Sequence, residues 1–384
     1  MAGYSSLDDF INKTTTLGYR WRQDWNKSML PTTPAVAGEW HNLWRGGGNP
    51  PADSIGNTGT NLTWQQLKYT TTNSTSIYHG GDVSPLYKNL LAANAFTAAG
   101  TVAPCILKLC DFLGFYRVTS TTTTGDQATV NTLVNLCNFT ADAGTDIITH
   151  TYIGLENFSK IQVATTTTLP AGLSAATNYY TIKVTDLTCK LATSLANAQA
   201  GTAIDITSAG TGTHNINTLL PRYTSGAGVQ CLWYANNATP LGAGTPNCRI
   251  TYTDQGDNSG NVTPNTLPVG KTACPNGQIV YSGTGAGKYG PNMPLAAGGS
   301  GIRSVEQINL SATYTSGEFS VLLYKSICDL PITTLGIACE RDFLQQIPSL
   351  PRIYDGACLN LLLYSGAATP TNSALYGALE FGWG

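Results

Sequence analysis

Apolar residues alternate with polar ones along most of this chain, and they seldom recur at helical spacing. Tyr180, Ile182 and Val184 fall on one side of an extended segment, with Thr181 and Lys183 on the other. That two-residue period is the mark of a half-buried strand. Ile147 with Ile148, Ile161 with Val163, Cys189 with Leu191, Ile204 with Ile206, and Ile216 continue the texture from about residue 132 to 217. Turn signals at Pro170-Ala171-Gly172, Asp186 and Ala209-Gly210 separate these segments, a spacing that predicts one small all-β module. Strands return at 231–235 and 248–253, at Ile308 with Leu310, at Phe319 with Val321 and Leu323, and at 359–364. Near the C-terminus Leu379, Phe381 and Trp383 alternate with Ala378, Glu380 and Gly382, which predicts a last strand tied into a sheet.

Helix is predicted at three places only. Residues 6–13 follow Ser5-Ser6; residues 84–95 have Ser84 as a cap and Pro85 in the first turn; residues 340–347 stop at Pro348. Trp21 with Trp25 and Trp40 with Trp44 are spaced to share a helical face, but Pro31, Pro34 and Gly46 to Gly48 keep any helix there short.

The Thr-rich stretch 119–124 before Gly125 reads as a connector, and the module's ends fall in similar loops. Lengthening a surface loop costs little closure entropy, so such loops accept insertions. The expected architecture is therefore all-β: a discontinuous jelly-roll or β-sandwich domain, residues 1–131 plus 218–384, with a few short helices and an inserted small Ig-like β module at 132–217.

Composition narrows the function. Charged residues are 11% of the chain and its net charge is −2, against about 25% charged in average soluble domains. With 42% hydrophobic residues the chain is no disordered polyelectrolyte. Its 20 basic and 22 acidic residues create no field for nucleic acid. No apolar run nears the ~18 residues of a membrane span, and the polar start is unlike a signal peptide, so synthesis in the cytoplasm is expected. Ten cysteines are scattered without a CxxC pair; the bland account is buried free thiols, the sharper one bonds formed in an oxidising compartment.

Motifs with chemistry mostly fail on inspection. The Gly-rich run 282–289 has Ser282 where a phosphate loop needs its first Gly, and Tyr289 where it needs Ser or Thr. The 254–260 turn has Gly256 at the third calcium-ligand position and no closing Glu. His41, His79, His150 and His214 are far apart in sequence, the last two read as solvated strand ends, and no glycosidase carboxylate pair is announced. No catalytic residue, cofactor or metal ligand is predicted. One cluster interleaves cations with aromatics, from Tyr19 to Lys27. Its Trp21, Arg22 and Trp25 are candidate docking residues, because Trp and Arg dominate interface hot spots; the competing reading is that the rings fill the core.

Several segments are similar to a family of tailed-phage virion proteins. They are Met1-Ala2-Gly3-Tyr4-Ser5, His79-Gly80-Gly81-Asp82-Val83-Ser84-Pro85, Leu113-Gly114-Phe115-Tyr116, Leu220-Pro221-Arg222-Tyr223, Gly301-Ile302-Arg303-Ser304-Val305, 350–357 and Glu380-Phe381-Gly382-Trp383-Gly384. The interruption before Leu220 resembles a module of many phage virion proteins, on Leu169-Pro170-Ala171-Gly172-Leu173, Tyr179-Tyr180, Lys190-Leu191-Ala192 and 205–214. The resemblance implies a non-enzymatic virion protein on the outer surface of the head, a decoration or cement subunit binding the major capsid protein. A homotrimer is expected, and the β module could hold glycan weakly. The rivals are a tail or head-fibre adhesin for host surface glycan and a glycan hydrolase.

Overall fold

The computed structural model describes residues 3–29, 35–54, 58–69, 75–100, 102–263, 268–283, 285–346 and 349–384. Strands take 44% of the chain and helices 5%, and the fold is all-β. Two fifteen-residue strands, Cys105–Thr119 and Glu318–Ile332, pair antiparallel along their length and form the spine. Val229–Ala235 flanks one side of this pair, Leu359–Ser365 and then Glu39–Asn42 the other, with Trp64–Gln66 added against Cys105–Thr119.

One end of the spine carries a five-stranded sheet in the order Cys339–Asp342, Lys88–Phe96, Ala374–Trp383, Arg20–Ser28, Gly48–Asn49. Its Leu90, Leu379 and Phe381 share a core with Leu107, Leu109, Leu361 and Leu363 of the spine sheet. The other end packs on a four-stranded sheet in the order Asn261–Val262, Cys248–Asp254, Ile302–Leu310, Gly125–Ala128. There Ile250, Val305 and Ile308 share a core with Trp233, Val321 and Leu323. Strands from before and after the inserted module mix in all three sheets, so residues on either side of it build one sandwich-like unit.

The module closes on itself. Val134–Asp142, Ile147–His150, Thr188–Ala192, Asn178–Lys183, Lys160–Thr165 and His214–Thr218 pair in that order, and the last returns to the first. An Ig-like sandwich has two open sheets; here six strands make one antiparallel barrel, a closure that removes the unpaired edges. Its own core contains Phe139, Ile148, Ile161, Val163, Tyr179, Leu191 and Ile216. Tyr180 and Ile182 do share a face, but an outer one. They pack beneath the short helix Leu195–Gln199 with Phe158 and Ala198, while Val184 is 50% exposed beyond the strand. Short-range alternation locates two faces and leaves open which one meets the core.

The first predicted helix is present: Ser6 Oγ accepts from Asp9 N, and Leu7–Ile11 continues into a π turn over Asn12–Thr16. The second is overturned. Lys88–Phe96 is a strand paired on both sides, because inter-strand pairing and burial of Leu90, Ala93 and Ala95 outweigh the helix propensity of Leu and Ala. The third is a strand as well, Cys339–Asp342, followed by a turn in which Asp342 Oδ1 accepts from the N–H groups of Leu344 and Gln345. Ile347, Pro348, Pro31 and Pro34 lie outside the described residues. The Thr-rich connector is a turn that ends in the edge strand Gly125–Ala128. All ten cysteines are free; eight are buried, and Cys328 and Cys339 are half-buried.

Candidate docking strand and the seam between the two units

Trp21, Arg22 and Trp25 lie on the strand Arg20–Ser28, not on a helix. On its inner side this strand pairs with Ala374–Trp383 over its whole length, and on its other side Gly48–Asn49 pairs at Asn26 and Lys27 while Ser28 N donates to the carbonyl of Gly47. Trp25 is 3% exposed and fills the core. Gly377 makes room for it, since a Cβ there would come within 2.4 Å of the indole. Trp25 is therefore removed from the docking set: its side chain already occupies a cavity of its own fold. Trp21 remains 40% exposed, set edge-on to Tyr78 at 5.5 Å. Arg22 is also exposed and bridges Asp24 and Glu380, each at 3.1 Å. Lys27 is buried and donates to the carbonyls of Gly46 and Pro51; desolvation pushes its pKa down to about 8.

A second concentration of polar groups lies where the barrel meets the sandwich. Asp111 stands in the middle of the spine, between two irregularities of register that bend the paired strands. Arg222, just past the last barrel strand, grips both of its oxygens at 2.7 and 2.8 Å, and both side chains are inaccessible. The same guanidinium donates to the carbonyls of Leu67 and Phe112, and Cys358 N donates to Asp111. Beside this pair, Lys88 Nζ meets His79 Nδ1 at 3.0 Å, Asp355 Oδ1 at 3.2 Å and the carbonyl of Gly81. Gly80 and Gly81, with φ of +88° and +78°, turn the chain back to present that carbonyl.

Asp355 also accepts from Val83 N and Ser84 N, and Asp82 accepts from Ser84 N at 2.9 Å. Desolvation and the neighbouring Asp82 carboxylate raise the pKa of Asp355, while the interaction with Asp355 lowers that of Asp82, so Asp82 is the stronger acid of the two. Two carboxyl groups far apart in sequence thus meet as a pair on Ser84 N. Their oxygens are engaged by backbone N–H groups and a buried lysine, and they sit on the rim of a cleft of about 460 Å³ between the units.

Polar stitches close the rest of the seam. Glu156 of the barrel accepts from Ser225 and Tyr354, Tyr152 donates to the carbonyl of Pro221, and Arg303 donates to the carbonyl of Phe158. The 254–260 turn contributes Asp257, which takes Lys160 at 3.0 Å and Tyr180 from the barrel. Lys288 of the Gly-rich run donates to the carbonyls of Val269 and Gly270, so its ammonium is engaged by the backbone. His150 and His214, read as solvated, are both buried. His214 is hydrogen-bonded to Thr165 and Ala209, and burial pushes His150 down to about 4. No group of metal-ligating residues occurs among the described residues, and no helix is long and apolar enough to cross a membrane.

Sequence reading missed the Asp111–Arg222 and Lys88–Asp355 pairs. A signal existed: Asp111 is the lone carboxylate in the apolar run 105–116, and a buried charge requires a partner. Which cation would come could not be read, because Arg222 lies beyond a whole inserted module.

Fold and site together define an all-β protein of two units, a sandwich interrupted by a closed barrel, whose buried charges hold the frame together. No protein-family model matches the chain, and no curated protein matches it.

Proposed function

We propose that this chain is a non-enzymatic structural protein of a tailed-phage virion, placed on the outer surface of the head, where it binds across assembled capsid subunits and stabilises the shell. One observation carries the docking reading: Trp21 and Arg22 are exposed on a strand that Trp25 and Lys27 lock into the interior. Aromatic and Arg side chains dominate interface hot spots, and a rigid strand loses little freedom when it docks. Among the described residues no strand pairs with the outer edge of this strand before Asn26, and a partner strand can add there.

The similarity to phage virion proteins supports the location. Its segments 79–85, 220–223 and 350–357 supply His79, Asp82, Arg222 and Asp355, which here join the seam and the core. Groups used in that way suit a mechanical task. The partner is the major capsid protein, and binding the assembled shell better than free subunits stabilises it by linkage. A closed homotrimer fits a chain of net charge −2, since little repulsion opposes association and cyclic symmetry ends it. Quantitative mass spectrometry of purified virions tests the proposal. A copy number comparable with that of the major capsid protein supports decoration; a few copies per particle would favour an adhesin, and absence from the virion would end both readings.

A further inference from the structure

Two cavities of the sandwich share one wall. Tyr69 and Tyr78, with ring centroids 5.5 Å apart and planes tilted by 40°, line both the seam cleft of about 460 Å³ and a second of about 230 Å³ beside the Arg20–Ser28 strand. Trp21 buttresses Tyr78 edge-on. The larger cleft lies within the roughly 300–1,000 Å³ of small-ligand sites. Both units line it, Asn135 from the barrel and Lys68, Asp82 and Asp355 from the sandwich.

The lining discriminates between ligand classes. Of the charged groups that line it, Arg222 is engaged by Asp111 and Asp355 by Lys88, which leaves exposed Lys68 beside Asp82. A phosphate or sulfate ester would meet one free base balanced by one acid, and so no net positive charge. A wholly apolar ligand would desolvate the acid pair at a cost. A sugar ring presents apolar C–H faces that fit aromatic rings and a rim of hydroxyls that donate to carboxylates and accept from amides and ammonium groups. Hydrogen bonds from Ser84, Val83 and Lys88 hold the carboxyl groups in place before any ligand arrives, so little reorganisation opposes binding.

We propose that the seam cleft binds a short neutral oligosaccharide, with its rings against Tyr69 and Tyr78 and its hydroxyls on Asp82 and Asn135. This site belongs to the junction of the two units and not to the barrel alone, and it is tested on the purified protein without heads.

Titration calorimetry and saturation-transfer NMR on the full chain test it with chitotriose, maltotriose and cellotriose, and with inorganic phosphate and decaproline as the competing classes. Saturable binding of at least one trisaccharide is expected. Tyr78→Ala and Asp82→Asn should each weaken it by about tenfold or more. Tyr78 is half-buried; if its variant does not fold, the exposed positions Asp82→Asn and Asn135→Ala decide. The proposal is overturned if none of the three sugars binds folded protein, if these variants bind as wild type, or if only phosphate or decaproline binds.

Discussion

Arg222 clasps Asp111 through two hydrogen bonds of 2.7 and 2.8 Å with neither side chain reachable by water. The two residues come from opposite sides of the inserted barrel, so this pair joins the halves of the interrupted sandwich beneath it. Removing one member leaves the other buried and charged, which costs more than the intact pair contributes. Arg222→Leu should therefore lower stability by about 3–5 kcal/mol in urea unfolding. Asp111→Leu with Arg222→Met should recover a large part of that loss. A single variant within about 1 kcal/mol of wild type would show that the seam is wetter than described.

The barrel has its own core and a closed hydrogen-bond ring, so residues 132–218 expressed alone should give a cooperative thermal transition. The sandwich with that stretch replaced by a Gly/Ser linker should fold but be weakened. Ser225, Tyr354 and Arg303 lose their partners Glu156 and the carbonyl of Phe158, at about 1 kcal/mol for each hydrogen bond exchanged for water. Insoluble sandwich together with an unfolded barrel would reject two separable units.

Trp21, Arg22 and Trp25 should part company on mutation. Trp21→Ala with Arg22→Ala is expected to abolish binding to undecorated heads while the melting curve and oligomer stay unchanged. Trp25→Ala should instead cost about 3–5 kcal/mol of stability, the range for emptying an aromatic site in a core. Wild-type head binding by the folded double variant would move the docking surface elsewhere.

Burial pushes His41 and His79 down to about 3 and His150 to about 4. Between these values and the ordinary 6.5 or so, the unfolded chain binds protons that the native protein does not. Stability therefore rises with pH across this window and is lost as pH falls from about 6.5 toward 4, by about 1.4 kcal/mol per pH unit for each such imidazole. Asp355, with its raised pKa, opposes the trend by a single group. Urea unfolding at pH 7, 6, 5 and 4 should show the decline, with a smaller slope in His79→Gln. A flat profile would contradict the burial of these rings.

Desolvation raises the Cys105 and Cys358 thiols to about 12 and Cys137 to about 11, so the native protein should carry few thiolates at neutral pH. Brief iodoacetamide labelling read by mass spectrometry should modify Cys339 first, a half-buried thiol whose desolvation the nearby Arg341 partly offsets. Stoichiometric zinc in purified protein would refute the reading of the thiols as buried, unliganded side chains.

Alternation by itself determined that this chain is made of strands. The segments around Ile148, Ile161, Leu191, Trp233, Ile250, Leu323 and Phe381 are strands where two-residue periodicity placed them, because side chains on an extended backbone point to opposite faces whatever the partner. Tertiary structure decided the rest. Pairing on both sides turned 88–96 from a predicted helix into a strand, ring closure made a barrel of the module, and a neighbouring glycine drew Trp25 inward while Trp21 stayed outside. It also brought Arg222 to Asp111 and Asp355 to Asp82 and Lys88. Each of these depends on contacts between residues far apart in sequence, and local periodicity carries no record of which distant segment will fill a cavity, pair an edge or neutralise a buried charge.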